Sequence, residues 1–226
     1  MPRIVRFHQT GGPEVLKIEE EPLVQPKQGE VRLRVQALGL NRAEAMFRSG
    51  AYLEVPQLPS RLGYEAAGVV DAIGPGVSSV KIGDRVSTIP AFSLNAHGVY
   101  GESAVVPALA VASYPEHFTP EQGSAVWMQF MTAWIGLIER GQLEKGQIAL
   151  ITAASSSVGL AAIQIGKATG AITIAVTRRE NKRARLLEAG ADHVVVTEQE
   201  DLPARVAAVT GGKGANLIFD SVSGPY

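Results

Sequence analysis

The chain has 226 residues, 46% of them hydrophobic and 19% charged, enough apolar surface for one large folded domain or two small ones. Its 21 basic and 22 acidic residues leave a formal charge of −1, which provides no electrostatic footprint for a nucleic acid or an anionic membrane. Cysteine is absent, which excludes disulfides, thiolate nucleophiles and cysteine-ligated zinc within these residues.

The first residues, Met1-Pro2-Arg3-Ile4-Val5-Arg6, place charges where a signal peptide needs its apolar stretch. The most apolar region, Ile148 to Ile165, is broken by Thr152, Ser155, Ser156, Ser157, Gly159 and Gln164, so a membrane span of about twenty apolar residues is missing. A soluble, cytoplasmic protein is the expectation. Up to about residue 120 the pattern is short strands between turns. Ile4–Phe7 comes first, and then Val31, Leu33 and Val35 alternate with Arg32, Arg34 and Gln36, a strand with one wet face. Arg42–Ser49 is the one helix expected in this half. Strands follow at Ala66–Ile73, Arg85–Ile89 and Ser103–Val106, separated by Gly74-Pro75-Gly76 and Gly83-Asp84 turns. This half predicts a small barrel-like β domain.

Beyond residue 120 the rhythm becomes strand–helix. Ile148–Thr152 is a continuous apolar run, as for a strand buried on both faces. A helix runs to Thr169 and stops at Gly170; Ile172–Val176 is the next strand, and Asn181–Ala189 the next helix, closed by Gly190. Val194–Val196, a helix over Asp201–Val209 and a strand over Asn216–Asp220 complete the series, which predicts a parallel sheet with right-handed crossovers.

The first of these strands leads into Ala153-Ala154-Ser155-Ser156-Ser157-Val158-Gly159 and a helix. Small residues at a strand-to-helix turn let backbone N–H groups approach a pyrophosphate at a positive helix end, and a Ser-rich helix cap is the plainer alternative. The second strand ends in Val176-Thr177-Arg178-Arg179, with Lys182 following, where an NAD ribose calls for an acid. Arg178 there suits the 2′-phosphate of NADPH; the alternative is the wet face of a helix, which is the reading adopted for Arg183 and Arg185.

Gly63-Tyr64-Glu65-Ala66-Ala67-Gly68-Val69-Val70, Gly74-Pro75-Gly76-Val77 and Lys81-Ile82-Gly83-Asp84-Arg85-Val86 resemble, in order and spacing, the medium-chain dehydrogenase/reductase superfamily, in particular its zinc-free quinone oxidoreductase branch. Gly39-Leu40-Asn41-Arg42, Arg48-Ser49-Gly50-Ala51-Tyr52, Met131-Thr132-Ala133-Trp134 and Ala189-Gly190-Ala191-Asp192-His193 match further blocks, so the resemblance spans nearly the whole chain. It implies an α/β architecture: a GroES-like catalytic domain over residues 1–121, then a partial Rossmann domain over 122–226, with NADPH in the cleft between them. By position it places Asn41, Tyr52 and Thr132 near nicotinamide and substrate, and Ser156, Ser157 and Val158 on the pyrophosphate. Thr177, Arg178 and Lys182 fall at the adenosine phosphate, and Ser221 near the cofactor, where the carboxyl-end rule also puts it. Zinc-dependent relatives carry His where this chain has Tyr64 and Cys where it has Asn41; the middle glycine of the phosphate loop is Ser156, and an aromatic often found in the first helix is Met46.

Without zinc, hydrogen-bond donors must stabilise the charge that hydride transfer places on the acceptor, which suits a quinone or α,β-unsaturated carbonyl. Tyr52 is the candidate donor, or else a loop aromatic packing over the barrel; Asn41 orients cofactor and substrate. An enoyl-thioester reductase, or a non-catalytic nucleotide-binding protein like crystallin or RNA-binding relatives, are the other readings. The full-length family implies a homodimer or tetramer. Four strands are found where a doubly wound domain has about six, and the sequence ends at Gly224-Pro225-Tyr226 just after the fourth. The expectation is therefore part of a longer reductase that binds NADPH poorly by itself, the alternative being a short form completing its sheet with a second copy.

Overall fold

The structure, a computed structural model, describes residues 1–222; the expected exit at Gly224-Pro225-Tyr226 lies outside the described residues. The chain divides into two compact units, Met1–Met128 and Gln129 onward. The segment Pro120–Gly123 goes with the first unit, because Gly123 packs against the Tyr114 ring.

The first unit is built from β1 (Arg3–Phe7), β2 (Leu16–Glu20), β3 (Glu30–Gly39), α1 (Arg42–Ser49), β4 (Ser60–Arg61), β5 (Glu65–Ile73) and β6 (Arg85–Thr88). The short helix α2 (Leu94–His97), β7 (Ser103–Pro107), β8 (Val111–Ser113) and α3 (Pro120–Gly123) complete it. Its strands form a five-stranded antiparallel sheet, β7-β3-β5-β6-β8, and a three-stranded sheet, β2-β1-β4. Phe7, Val31, Leu33, Phe47, Val70 and Val86 are fully buried between them, each worth about 1.5–3 kcal/mol of burial. Phe7 and Phe47 meet edge to face at 5.9 Å, which fastens α1 to the sheet.

Two expectations are corrected here. Arg42–Ser49 is joined by the helical turns α2 and α3, too short to show a 3.6-residue period. Arg32 is buried rather than wet: its Nε donates to Asp71 Oδ1 at 2.8 Å and its Nη1 to the Val24 carbonyl at 3.2 Å. An alternating pattern marks which residues share a face; a loop carrying Val24 covers that face at Arg32, while Arg34 and Gln36 stay exposed on it as expected.

The second unit starts in α4 (Trp127–Trp134), which continues as a π-helical turn over Ile135–Arg140. It then alternates β9 (Ile148–Ile151), α5 (Ser157–Thr169), β10 (Ile172–Thr177), α6 (Arg183–Glu188), β11 (His193–Val196), α7 (Leu202–Thr210) and β12 (Leu217–Phe219). All four strands are parallel, in the order β11-β10-β9-β12. β9, β10 and β11 are buried almost throughout, the signature of a sheet covered on both faces. The sequence steps outward from β9 to β11 and then jumps back to β12, which makes the gap between β9 and β12 a topological switch point. The expected helix over Asn181–Ala189 opens with a 3₁₀ turn at Glu180–Lys182 before α6 proper. Among the described residues no helix is long and apolar enough to cross a membrane.

Gly68 sits in β5 where the register with β3 slips between Val35 and Ala37. A side chain there would overlap the Arg34 carbonyl oxygen, a backbone atom with no freedom to yield. Gly68→Ala is expected to lower unfolding stability by about 1–3 kcal/mol, the cost of overpacking. Urea unfolding measures it, and unchanged midpoints would show that the bulge relaxes.

Candidate functional site

In the second unit the carboxyl ends of the strands open onto a cleft of about 830 Å³, lined by Thr152, Ser155, Thr177, Arg178, Arg179 and Lys182 among others. The loop after β9 forms one wall. Ala153 adopts a left-handed φ of 42°, turning the chain sharply, and the Ala154 N–H donates to the Val176 carbonyl at 3.0 Å. Ser156 caps α5, its Oγ accepting the Gly159 N–H at 3.1 Å. The Ser-rich cap is therefore present, and a cap that satisfies Gly159 leaves Ser157 and Val158 at the helix start. Their N–H groups have no carbonyl acceptor one turn back within the helix, and the dipole of this 13-residue helix makes that end positive. Gly159 is required by contact: a Cβ there would lie 2.6 Å from Ala154 Cα.

The loops after β9 and β12 are tied together at the switch point. Thr152 Oγ1 donates to Asp220 Oδ1 at 2.6 Å and accepts the Ser221 N–H at 3.3 Å. Ser221 is thereby held at the mouth of the sheet. Across the cleft, Thr177 is buried while Arg178 and Lys182 are exposed at the end of β10. No carboxylate occupies Thr177, Arg178 or Arg179; the nearest in sequence, Glu180, accepts from Arg183 Nε at 2.8 Å. Arg183 also donates to the Val194 carbonyl and to Glu200 Oε1, so it braces α6 against the neighbouring loop. It is a structural clamp, more engaged than a wet helix face.

The first unit gathers a second polar cluster. Asn41 precedes α1, and its backbone N–H donates to Glu44 Oε2 at 2.6 Å, which closes the helix start. Its Nδ2 donates to Glu65 Oε2 at 2.9 Å, while Glu65 Oε1 accepts the Met128 N–H at 2.8 Å. Glu44 Oε1 accepts the Tyr64 N–H at 3.1 Å. Glu44 and Glu65 are both buried, so two carboxylates flank the Asn41 side chain. Tyr52, half-buried, meets the Tyr64 ring edge-on at 6.4 Å, and Tyr64 stands 5.7 Å from Phe92. Burial first, and then a hydrogen bond with Tyr52, push the Tyr64 phenol well above the usual tyrosine range. Tyr52 also packs on the barrel core, as the plainer reading of that loop has it.

Of the expected site residues, Thr177, Arg178 and Lys182 converge on one cleft. Ser156, Ser157 and Val158 lie at the α5 start beside it, and Ser221 at the switch point. Asn41 and Tyr52 belong to the first unit, and Thr132 is exposed on α4 of the second. Residues that sequence reasoning missed are Glu44, Thr152, Asp220 and Glu198, the last following β11 with its carboxylate 3.7 Å from Arg178 Nε. Glu198 was within reach, as the carboxyl-end rule applied to the third strand leads directly to it.

Burial also holds the Glu44 carboxyl above its ordinary range, against the lowering effect of the N–H groups of Tyr64 and Asn41. Such a group binds its proton more tightly in the folded chain. Its contribution is therefore complete below the unfolded pKa and is lost as pH rises through the folded one. Urea unfolding of the wild type and Glu44→Gln is expected to shift in favour of the wild type on mild acidification. A difference independent of pH would overturn this account of the buried carboxylate.

Residues 27–116 match the family model described as the alcohol dehydrogenase GroES-like domain, and residues 157–226 the model described as zinc-binding dehydrogenase. Among the described residues no group of three or more His, Cys, Asp or Glu is placed to hold a metal. Quinone oxidoreductase 1 of Escherichia coli is 36% identical over 218 residues, covering 96% of this chain and 65% of that protein. The chain thus spans just under two thirds of this curated relative. The solved structure of a Pseudomonas syringae quinone oxidoreductase superposes with a TM-score of 0.91 at 33% identity, covering 99% of this chain and 67% of that one. The Escherichia coli quinone oxidoreductase complexed with NADPH gives 0.88 at 35% identity, covering 97% and 66%. A GroES-like first unit, a parallel sheet with a switch point and relatives of this closeness lead to one assignment: the chain belongs to the medium-chain dehydrogenase/reductase superfamily, in its quinone oxidoreductase branch.

Proposed function

We propose that this chain serves the reduction of a quinone or α,β-unsaturated carbonyl with NADPH and holds the cofactor's adenosine end. The observation that supports it is the cleft at the β10 end, lined by Arg178, Arg179 and Lys182, where the strand ends in Thr177-Arg178-Arg179 and not in the acid that an NAD ribose calls for. A guanidinium matches a phosphate with paired N–H groups, and a carboxylate at that point would repel it. The remaining features fit a dinucleotide. The α5 start offers Ser157 and Val158 N–H groups to a pyrophosphate, and Gly159 keeps the turn close enough to present them.

The bound nicotinamide would supply the hydride. Thr177, Arg178 and Lys182 hold the 2′-phosphate in this reading, while Ser221 and Thr132 serve the nicotinamide side. Asn41 is suited to orientation, because its Nδ2 is committed to Glu65 and its side chain is thereby locked. Tyr52 donates its O–H to the acceptor oxygen, and the adjoining Tyr64 keeps its own proton under the conditions in which quinones are reduced. These donors stabilise the charge that develops on the acceptor.

Titrating the protein with NADPH and NADH tests the reading. Arg178→Ala is expected to weaken NADPH selectively, by about 1.5–3 kcal/mol for a charged hydrogen-bonded contact. Equal losses for the two nucleotides would remove Arg178 from the phosphate site. Nucleotide oxidation in the presence of a quinone, a small enone and a crotonyl thioester then separates the acceptor classes.

A further inference from the structure

We infer that Glu198, beside the nucleotide cleft, is a specificity-determining residue: it pairs with the arginines at the β10 end when no phosphate is present and opposes the 2′-phosphate when one arrives. The inference rests on the NADPH reading above and adds to it a residue whose effect has the opposite sign. Glu198 follows β11, and parallel pairing brings it beside Arg178. The Thr197 N–H donates to the Thr177 carbonyl at 3.0 Å, and the Glu198 N–H to the Arg178 carbonyl at 3.2 Å. Two consecutive backbone bonds therefore keep residues 197 and 198 next to 177 and 178. The Glu198 carboxylate then lies 3.7 Å from Arg178 Nε and 4.0 Å from Arg179 Nε.

The other carboxylates of this loop are committed elsewhere. Glu200 accepts from Arg183 and the Val196 N–H and pairs with Arg205, and Asp201 caps α7 through the Ala204 N–H. Glu198 has no hydrogen-bond or ionic partner besides these arginines and its backbone bond among the described residues. Its carboxylate is thus the negative charge that a phosphate must displace from the guanidinium groups and then tolerate nearby. NADH, whose ribose hydroxyl carries no charge, meets neither cost. The residue narrows the preference for NADPH that Arg178 and Lys182 create, and lets one cleft accept either nucleotide.

Fluorescence titration of the protein with NADPH and NADH, at low and at physiological salt, tests this. Glu198→Gln is expected to tighten NADPH about three- to fivefold at low salt, with NADH unchanged and the gain shrinking as salt rises. Glu188→Gln, an exposed charge change on α6 with no ion pair to Arg178 or Arg179, is expected to move neither nucleotide. Unchanged or weaker NADPH binding in Glu198→Gln, or an equal gain in Glu188→Gln, overturns the inference. Arg178→Ala keeps the two readings apart. Selective loss of NADPH there together with no gain in Glu198→Gln rejects the role of Glu198 alone, whereas no selective loss rejects the phosphate site on which it rests.

Discussion

Backbone pairing along β10 is the constraint on which the cleft depends. Thr177 aligns with Val196 on one side, and Ala175 with Ile151 on the other. Parallel strands in register end together, so the polar residues that follow each strand are delivered to one edge of the sheet. Thr152, Arg178, Glu198 and Ser221 come from four separate places in the sequence, and no contact among their side chains is needed to gather them. The buried strands Ile148–Ile151, Ile172–Thr177 and His193–Val196 supply the stability, and the polar residues of the cleft stand at or just past their ends.

The first unit obeys a different economy. Its functional candidates lie within a buried network, where Glu44 and Glu65 accept hydrogen bonds from Asn41, Tyr64 and Met128. Burying a carboxylate costs several kcal/mol unless its oxygens are satisfied, and here each oxygen of both has a donor. The return is rigidity, since the Asn41 side chain, the start of α1 and the β5 edge cannot move separately. A substitution in this network would be felt through position before it was felt through charge.

Much of this was legible in the sequence, for reasons that differ between the halves. The parallel units announced themselves because buried strands are continuous apolar runs and their helices end at glycine; Gly170 indeed takes a left-handed φ of 79°. Strands β2, β4 and β8 were invisible. Leu16–Glu20, Ser60–Arg61 and Val111–Ser113 are short, and they are strands only because a neighbour supplies their hydrogen bonds. Basic residues at the end of the second strand could be read from order alone, as could the cap-and-turn at Ser156. The clasp between Thr152 and Asp220 could not, because it joins loops 68 residues apart through a three-dimensional coincidence that no spacing records. Arg32 shows the same limit, since its partners Asp71 and Val24 lie outside its own strand.

The left-handed backbone at Ala153 has a consequence for the entropy of binding. An L-residue in that region costs about 1–2 kcal/mol relative to the right-handed one, and glycine would relieve it. Alanine in place of glycine, however, removes about 0.4–1 kcal/mol worth of backbone freedom from the disordered chain. The turn is also pinned on both sides of the strained residue, by the Thr152 N–H on the Phe219 carbonyl and the Ala154 N–H on the Val176 carbonyl. A loop so determined has little conformational freedom left to lose. An anion reaching the start of α5 would find its N–H groups already aimed, and its affinity would be spared the ordering cost that a glycine-rich loop charges each time it closes on a ligand.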